Sequence, residues 1–116
     1  MTVLLVDDDL LVLRSFARLL ARRGWKVEVS TGSEALASTG RYDAAVIDLR
    51  LDAGLAGADV ASALRAAGRV RHVVFFSGDT DPARSARERQ LGPVLAKDDL
   101  GGLVDLLSDL DVAAAS

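Results

Sequence analysis

The sequence predicts a doubly wound α/β domain: a five-stranded parallel sheet with helices on both faces. Three observations carry that expectation. Short apolar runs alternate with helix-like stretches five times along 116 residues, the pattern of strand–helix repeats joined by right-handed crossovers. The central run, Ala44-Ala45-Val46-Ile47, is continuously apolar, as in a strand covered on both faces. That run ends abruptly on a carboxylate, Asp48, followed by glycine-rich irregular sequence at residues 52–57. In open α/β sheets ligands bind beyond the carboxyl ends of the strands, which makes Asp48 the residue to explain.

Composition narrows the classes. The length suits one core without staples, and with half the residues hydrophobic and no cysteine, disulfide scaffolds and thiolate metal sites are excluded. Net charge is −3, which argues against a dedicated nucleic-acid binder. No basic leader and no apolar run near the roughly 20 residues of a membrane span are visible, so a cytoplasmic protein without membrane contact is expected. Of 14 basic residues only Lys26 and Lys97 are lysines, which draws attention to where Lys97 falls.

The elements follow in order. Residues 2–6 read as a buried strand ending on Asp7-Asp8-Asp9. Residues 10–23 form an amphipathic helix with Leu13, Phe16, Ala17 and Leu20 inward, stopped by Gly24. Residues 25–30 alternate, with Trp25, Val27 and Val29 on one face, as expected of an edge strand. Thr31-Gly32-Ser33-Glu34 has capping-box form and opens a helix to about Thr39. The third strand, 43–48, leads through the glycine-rich loop to a helix over 59–67 with Val60, Ala63, Leu64 and Ala67 inward, closed by Gly68. The fourth strand, 71–76, ends on Ser77-Gly78. Asp81-Pro82 reads as an N-cap with proline at the first helical position. The helix it opens, to about Gln90, is poor in large apolar residues and carries Arg84, Arg87 and Arg89. Gly92-Pro93 breaks it before a short strand, Val94-Leu95-Ala96, that ends on Lys97. Asp98 or Asp99 caps the last helix, with Leu100, Leu103, Val104, Leu107 and Leu110 as its stripe and Gly101-Gly102 weakening its first turn. The domain is expected to span 1–112, with 113–116 as a small polar tail.

With strand order 2-1-3-4-5, the ends carrying Asp7 and Asp8, Asp48, Ser77 and Lys97 share one edge. Adjacent strands lie about 4.8 Å apart, which would set Asp8 beside Asp48. Packed carboxylates repel unless a cation joins them, and all-oxygen ligation with room for water suits Mg²⁺. A hydroxyl and an ammonium flanking the same point suit phosphoryl oxygens, since positioning and charge neutralisation dominate phosphoryl transfer. A carboxylate can itself be the nucleophile. Each residue also has a plainer role: the aspartate run as N-cap chemistry, Ser77 as a strand end, Lys97 as a solvated charge, His72 as a partly exposed packing residue, and Trp25 and Tyr42 as packing at the core rim.

Val6-Asp7-Asp8, the strand Tyr42-Asp43 to Asp48-Leu49, Phe76-Ser77-Gly78 and Leu95-Ala96-Lys97 together resemble the receiver domain of two-component response regulators, of the chemotaxis-regulator type with a flavodoxin-like (βα)5 fold. The resemblance covers about residues 2–112. It implies that Asp48 is phosphorylated by a histidine kinase or phosphotransfer protein. It also implies that Mg²⁺ is held by Asp7, Asp8, Asp48 and the backbone carbonyl of Arg50, with Asp8 the more direct ligand of the first pair. Ser77 and Lys97 would contact the phosphoryl group. The face of the fourth helix, fifth strand and fifth helix would signal to a downstream partner or a fused output domain, with homodimerisation left open.

The chain departs from that pattern in four places. Asp52 stands where the family usually has proline, the following loop is one residue longer, Asp98 replaces the proline after the lysine, and Val94 replaces the aromatic switch residue. Three functions compete: a phospho-acceptor switch rather than a turnover enzyme, an interaction module of the same fold that works without phosphorylation, and a phosphohydrolase using Asp48. Arg50 disfavours the last, because it occupies the position two beyond the nucleophile where a similar hydrolase family has aspartate.

Overall fold

In the computed structural model the described residues are 1–78, 83 and 85–115, with only the backbone described at 53, 114 and 115. They form strands β1 (Thr2–Val6), β2 (Lys26–Ser30), β3 (Tyr42–Asp48), β4 (Val70–Ser77) and β5 (Val94–Ala96), with helices α1 (Leu10–Ala21), α2 (Gly32–Ala37), α3 (Gly57–Ala66), α4 (Ala86–Arg89) and α5 (Leu100–Ala115). The sheet is parallel throughout, in the order β2-β1-β3-β4-β5, as the alternating pattern predicts.

Period-two alternation divides the central strands between two cores. Leu4, Val6, Ala45, Ile47, Val73 and Phe75 pack on one face with Ala35 of α2 and Val60, Ala61 and Leu64 of α3. Val3, Leu5, Ala44, Val46, Val74 and Phe76 pack on the other with Leu13, Phe16 and Leu20 of α1 and Leu103 and Leu107 of α5. A strand buried on both faces has no polar position to spare, which is why Ala44–Ile47 reads as an unbroken apolar run. The helix stops behave as read: Gly24 and Gly68 have φ of 85° and 68°, left-handed values that glycine alone adopts at no steric cost.

Several details differ from the sequence reading. Val29, grouped with Trp25 and Val27, is 51% exposed; β2 is an edge strand, paired on one side with β1. In α3 the inward set is Ala58, Val60, Ala61 and Leu64 around Gly57, while Ala63 and Ala67 face solvent; the helix begins two residues early, and its small residues rather than its later alanines approach the sheet. The helix α5 continues to Ala115, so a tail is not separated at 113. Alanine is the best helix former, and Ala113, Ala114 and Ala115 extend the helix rather than ending it. The glycine pair does not delay α5: Asp99 accepts the Gly102 N–H at 2.9 Å, and a side chain at 102 would collide with that carboxylate. The expected cap at Asp81 and Pro82, with Arg84, lies outside the described residues. In the described part of that helix Arg87 and Arg89 are exposed, and Arg87 pairs with Asp59 of α3 at 2.6 Å.

Tyr42 and Trp25 are more than rim packing. The Tyr42 hydroxyl donates to Glu28 at 2.6 Å, and Trp25 Nε1 donates to Asp111 at 2.9 Å, tying β2 to β3 and to the far end of α5. His72 is partly exposed, as expected.

Candidate functional site at the carboxyl edge of the sheet

The register of the sheet sets the site. Val6 of β1 lies opposite Ile47 of β3, so the residues that follow, Asp7 and Asp48, emerge side by side. It is Asp7 rather than Asp8 that sits level with Asp48, one residue from the sequence expectation, because the parallel register and not the count from each strand end decides the match. Ser77, the last residue of β4, is opposite Ala96. Lys97 follows at once, its N–H donating to the Ser77 carbonyl at 2.9 Å.

Lys97 closes the site. Its Nζ lies 3.2 Å from Asp7 Oδ2 and 3.2 Å from Asp48 Oδ2, and 5.3 Å from the centre of the Phe76 ring. The ammonium thus bridges two carboxylates above an aromatic face, a favourable place for a cation. Asp7 is 2% exposed and also accepts the Asp9 N–H at 3.0 Å. Asp48 accepts the Arg50 N–H at 3.5 Å through its other oxygen.

Electrostatics distinguish Asp48 from an ordinary carboxylate. Burial, then the charge of Asp7, push its pKa up to about 6, while Lys97 and the Arg50 N–H pull the other way. Burial penalises the Lys97 ammonium, but the Asp48 and Asp7 carboxylates outweigh that, and its pKa is raised. A second cation near Asp7 and Asp48 would therefore relieve an existing repulsion.

The three aspartates after β1 have separate tasks. Asp9 caps α1, accepting from Leu11 and Val12, so N-cap chemistry accounts for it alone. Asp7 belongs to the Lys97 cluster. Asp8 stands apart: its two oxygens accept the backbone N–H groups of Gly32 at 3.3 Å and of Asp52. Among the described residues no three acidic or imidazole groups are gathered closely enough to hold a metal as they stand. The donors fit a hard divalent cation in kind, being carboxylates with a carbonyl-bearing loop beside them, but Asp8 is engaged elsewhere. Sequence reasoning missed Gly32 and Phe76. The capping box did place Gly32 at a helix start, and the apolar run placed Phe76 at the end of the fourth strand, but neither signal says what crosses above them.

The loop after β3 is built tightly despite its extra residue. Arg50 bridges Ala56 in antiparallel fashion, a 3-10 turn spans Asp52–Gly54, and the Gly57 N–H donates to the Leu49 carbonyl at 2.8 Å. A side chain at Gly57 would overlap the backbone oxygen of Asp48. The longer loop thus still returns its glycine to the back of Asp48. Beside the cluster, Ser77, Gly78, Ala96, Lys97 and Asp98 line an open recess of about 340 Å³. Among the described residues no peptide bond is cis, in keeping with Asp98 in place of proline.

Comparison with known proteins identifies the class to which this fold and edge belong. The family model of the response regulator receiver domain matches residues 3–99, so this chain belongs to the response regulator receiver domain family. It is 35% identical over 96 residues to the tetrathionate response regulatory protein TtrR of Salmonella typhimurium, covering 80% of this chain and 46% of that protein. The chain therefore spans about half the length of that curated relative. Among solved structures it resembles the N-terminal domain of a response regulator/sensory box/GGDEF three-domain protein from Carboxydothermus hydrogenoformans, with a TM-score of 0.84, 24% identity, and 99% and 98% of the two chains covered. It also resembles the response regulator TrrA of Thermotoga maritima, solved in complex with Mg²⁺-BeF, with a TM-score of 0.82, 18% identity, and 94% and 97% covered. At these identities the structural likenesses speak for the fold.

Receiver domains are signalling switches of two-component systems, not turnover enzymes, and they work with a histidine kinase or phosphotransfer protein. Among the described residues no helix is long and apolar enough to cross a membrane.

Proposed function

We propose that this domain is a phospho-acceptor switch in which Asp48 takes a phosphoryl group from a histidine kinase or phosphotransfer protein in the cytoplasm. The observation that carries this reading is the Lys97 ammonium held 3.2 Å from both Asp7 and Asp48 beside an open recess. An Asp48 oxygen attacks phosphorus, the P–N bond to the donor imidazole breaks, and an acyl phosphate on Asp48 results. Lys97 meets the charge on the transferred group, and the Ser77 hydroxyl, at the recess wall, takes another of its oxygens. Asp7, Asp8, Asp48 and the Arg50 carbonyl would hold Mg²⁺, whose chemistry when bound is to neutralise phosphoryl oxygens. The Mg²⁺-BeF complex of the Thermotoga relative supports that choice of ion. Output would pass through the face of α4, β5 and α5 to a downstream protein or to a further domain of a longer chain.

A second reading, a receiver-like module that binds partners without phosphorylation, is favoured by one observation: both Asp8 oxygens are already taken by backbone N–H groups. Incubation with acetyl phosphate, with and without Mg²⁺, followed by intact mass, separates the two. A Mg²⁺-dependent phosphoryl adduct absent from Asp48→Asn is expected. Mg²⁺ binding without an adduct, even with a cognate kinase, would leave the interaction module as the better account.

A further inference from the structure

We infer that the backbone N–H of Asp52 is a latch that competes with a divalent cation for the Asp8 carboxylate and thereby sets the metal affinity of the site. The inference rests on the metal role proposed above for Asp8. Both Asp8 oxygens carry backbone donors, Gly32 N–H on one and Asp52 N–H on the other. Asp7 and Asp48, by contrast, turn toward Lys97. Hydrogen bonds to a charged acceptor are among the stronger ones in proteins, so withdrawing Asp8 from this pair opposes metal binding.

The latch belongs to a structured loop. Leu51 is 8% exposed, and its N–H donates to Leu55 O while the Leu55 N–H donates back to Asp52 O. Leu51 and Leu55 also sit against Gly32, where a side chain would crowd them. The same contacts therefore hold the Asp52 and Gly32 amides at a common point, and Asp8 is that point. Three connections, β1–α1, β2–α2 and β3–α3, are joined through one carboxylate. Metal capture by Asp8 would loosen this junction, giving the β3–α3 loop a direct reason to respond to occupancy.

The donor can be deleted without refashioning the loop. Leu51 has φ −117° and ψ 164°, the extended conformation that a residue before proline prefers. Position 52 opens a 3-10 turn, whose φ range proline matches. Asp52→Pro removes the N–H and the side-chain charge, whereas Asp52→Ala removes the charge alone.

Calorimetric titration with Mg²⁺ of the wild type, Asp52→Pro and Asp52→Ala, each with and without Asp48→Asn, tests the latch. Asp52→Pro is expected to bind about tenfold more tightly than Asp52→Ala, with the Asp48→Asn background weakening both. Equal affinities of the two variants, with binding still dependent on Asp48, would overturn the latch and leave the proposed metal site standing. Absence of Asp48-dependent binding in every variant would overturn the metal site and the latch together. Should Asp52→Pro not fold by circular dichroism, the wild-type amide resonances of Asp52 and Gly32 decide the matter. Release of Asp8 to Mg²⁺ must shift them upfield, and stationary resonances at saturation would overturn the latch.

Discussion

Lys97 Nζ lies 3.2 Å from the Asp48 carboxylate although a whole strand, β4, separates the strand ends that carry them. The reach is made over the Phe76 ring, directly opposite Asp48 in the β3–β4 register. The same ammonium serves Asp7 at an equal distance, so one cation holds two like charges together.

Removing that cation should expose the repulsion. Lys97→Met keeps most of the apolar stem over Phe76 but leaves Asp7 and Asp48 facing each other uncompensated. Because the lysine side chain is 29% exposed, the expected loss is about 1–2 kcal/mol at pH 7, below that of a fully buried pair. The loss should shrink toward pH 4 as Asp48 protonates. Denaturant melts at the two pH values check this, and a pH-independent loss would point to packing instead.

Asp48 itself should destabilise the metal-free fold at neutral pH. Its folded-state pKa of about 6 exceeds the ordinary aspartate value of 3.8, so between those values the folded chain keeps a proton that the unfolded chain has released. Stability from this site falls as pH rises through that window and levels off above it. Asp48→Asn is therefore expected to be more stable than wild type above pH 6, on the order of 1 kcal/mol after allowing for solvent screening. Below pH 3.8 the gain should disappear. Thermal melts in chelator across pH 3.5–7 read the difference, and a gain of equal size at every pH would refute the assignment.

Gly57 should tolerate no side chain. A methyl there would overlap the Asp48 backbone oxygen, and backbone cannot swing aside as a side chain can. Gly57→Ala is expected to cost about 2–3 kcal/mol and to impair phosphoryl acceptance by displacing Asp48. Gly54→Ala, with nothing within 4 Å but a φ of 74°, should cost about 1 kcal/mol and leave acceptance intact. Melting and intact-mass labelling on both variants separate the two effects.

Trp25 is the chain's one tryptophan, and its bond to Asp111 makes its fluorescence a reporter on the last turns of α5. Asp111→Ala loses a hydrogen bond to a charged acceptor but also relieves an acidic residue near a helix C-terminus, worth a few tenths. The net expectation is a loss of about 1 kcal/mol, a shifted emission maximum and unchanged Mg²⁺ binding. An unchanged spectrum would mean the bond does not persist in solution.

The strand–helix order, the helix stops at Gly24 and Gly68, the capping box at Thr31, and the convergence of Asp7, Asp48, Ser77 and Lys97 on one edge were all legible in the sequence. These follow from period, caps and parallel topology, all local or combinatorial properties of the chain. Tertiary structure alone decided which aspartate meets which partner. Three consecutive aspartates look alike in one dimension, yet register sets Asp7 beside Asp48, the start of α1 claims Asp9, and two loops from elsewhere in the chain claim Asp8. The packing of α3 through Gly57 and Ala58, and the exposure of Val29, were hidden for the same reason: a side chain's burial depends on what the rest of the chain lays against it. The raised pKa of Asp48 is likewise a tertiary property, because it arises from burial and from a neighbouring charge 41 residues away in sequence, and no pattern within either strand encodes it.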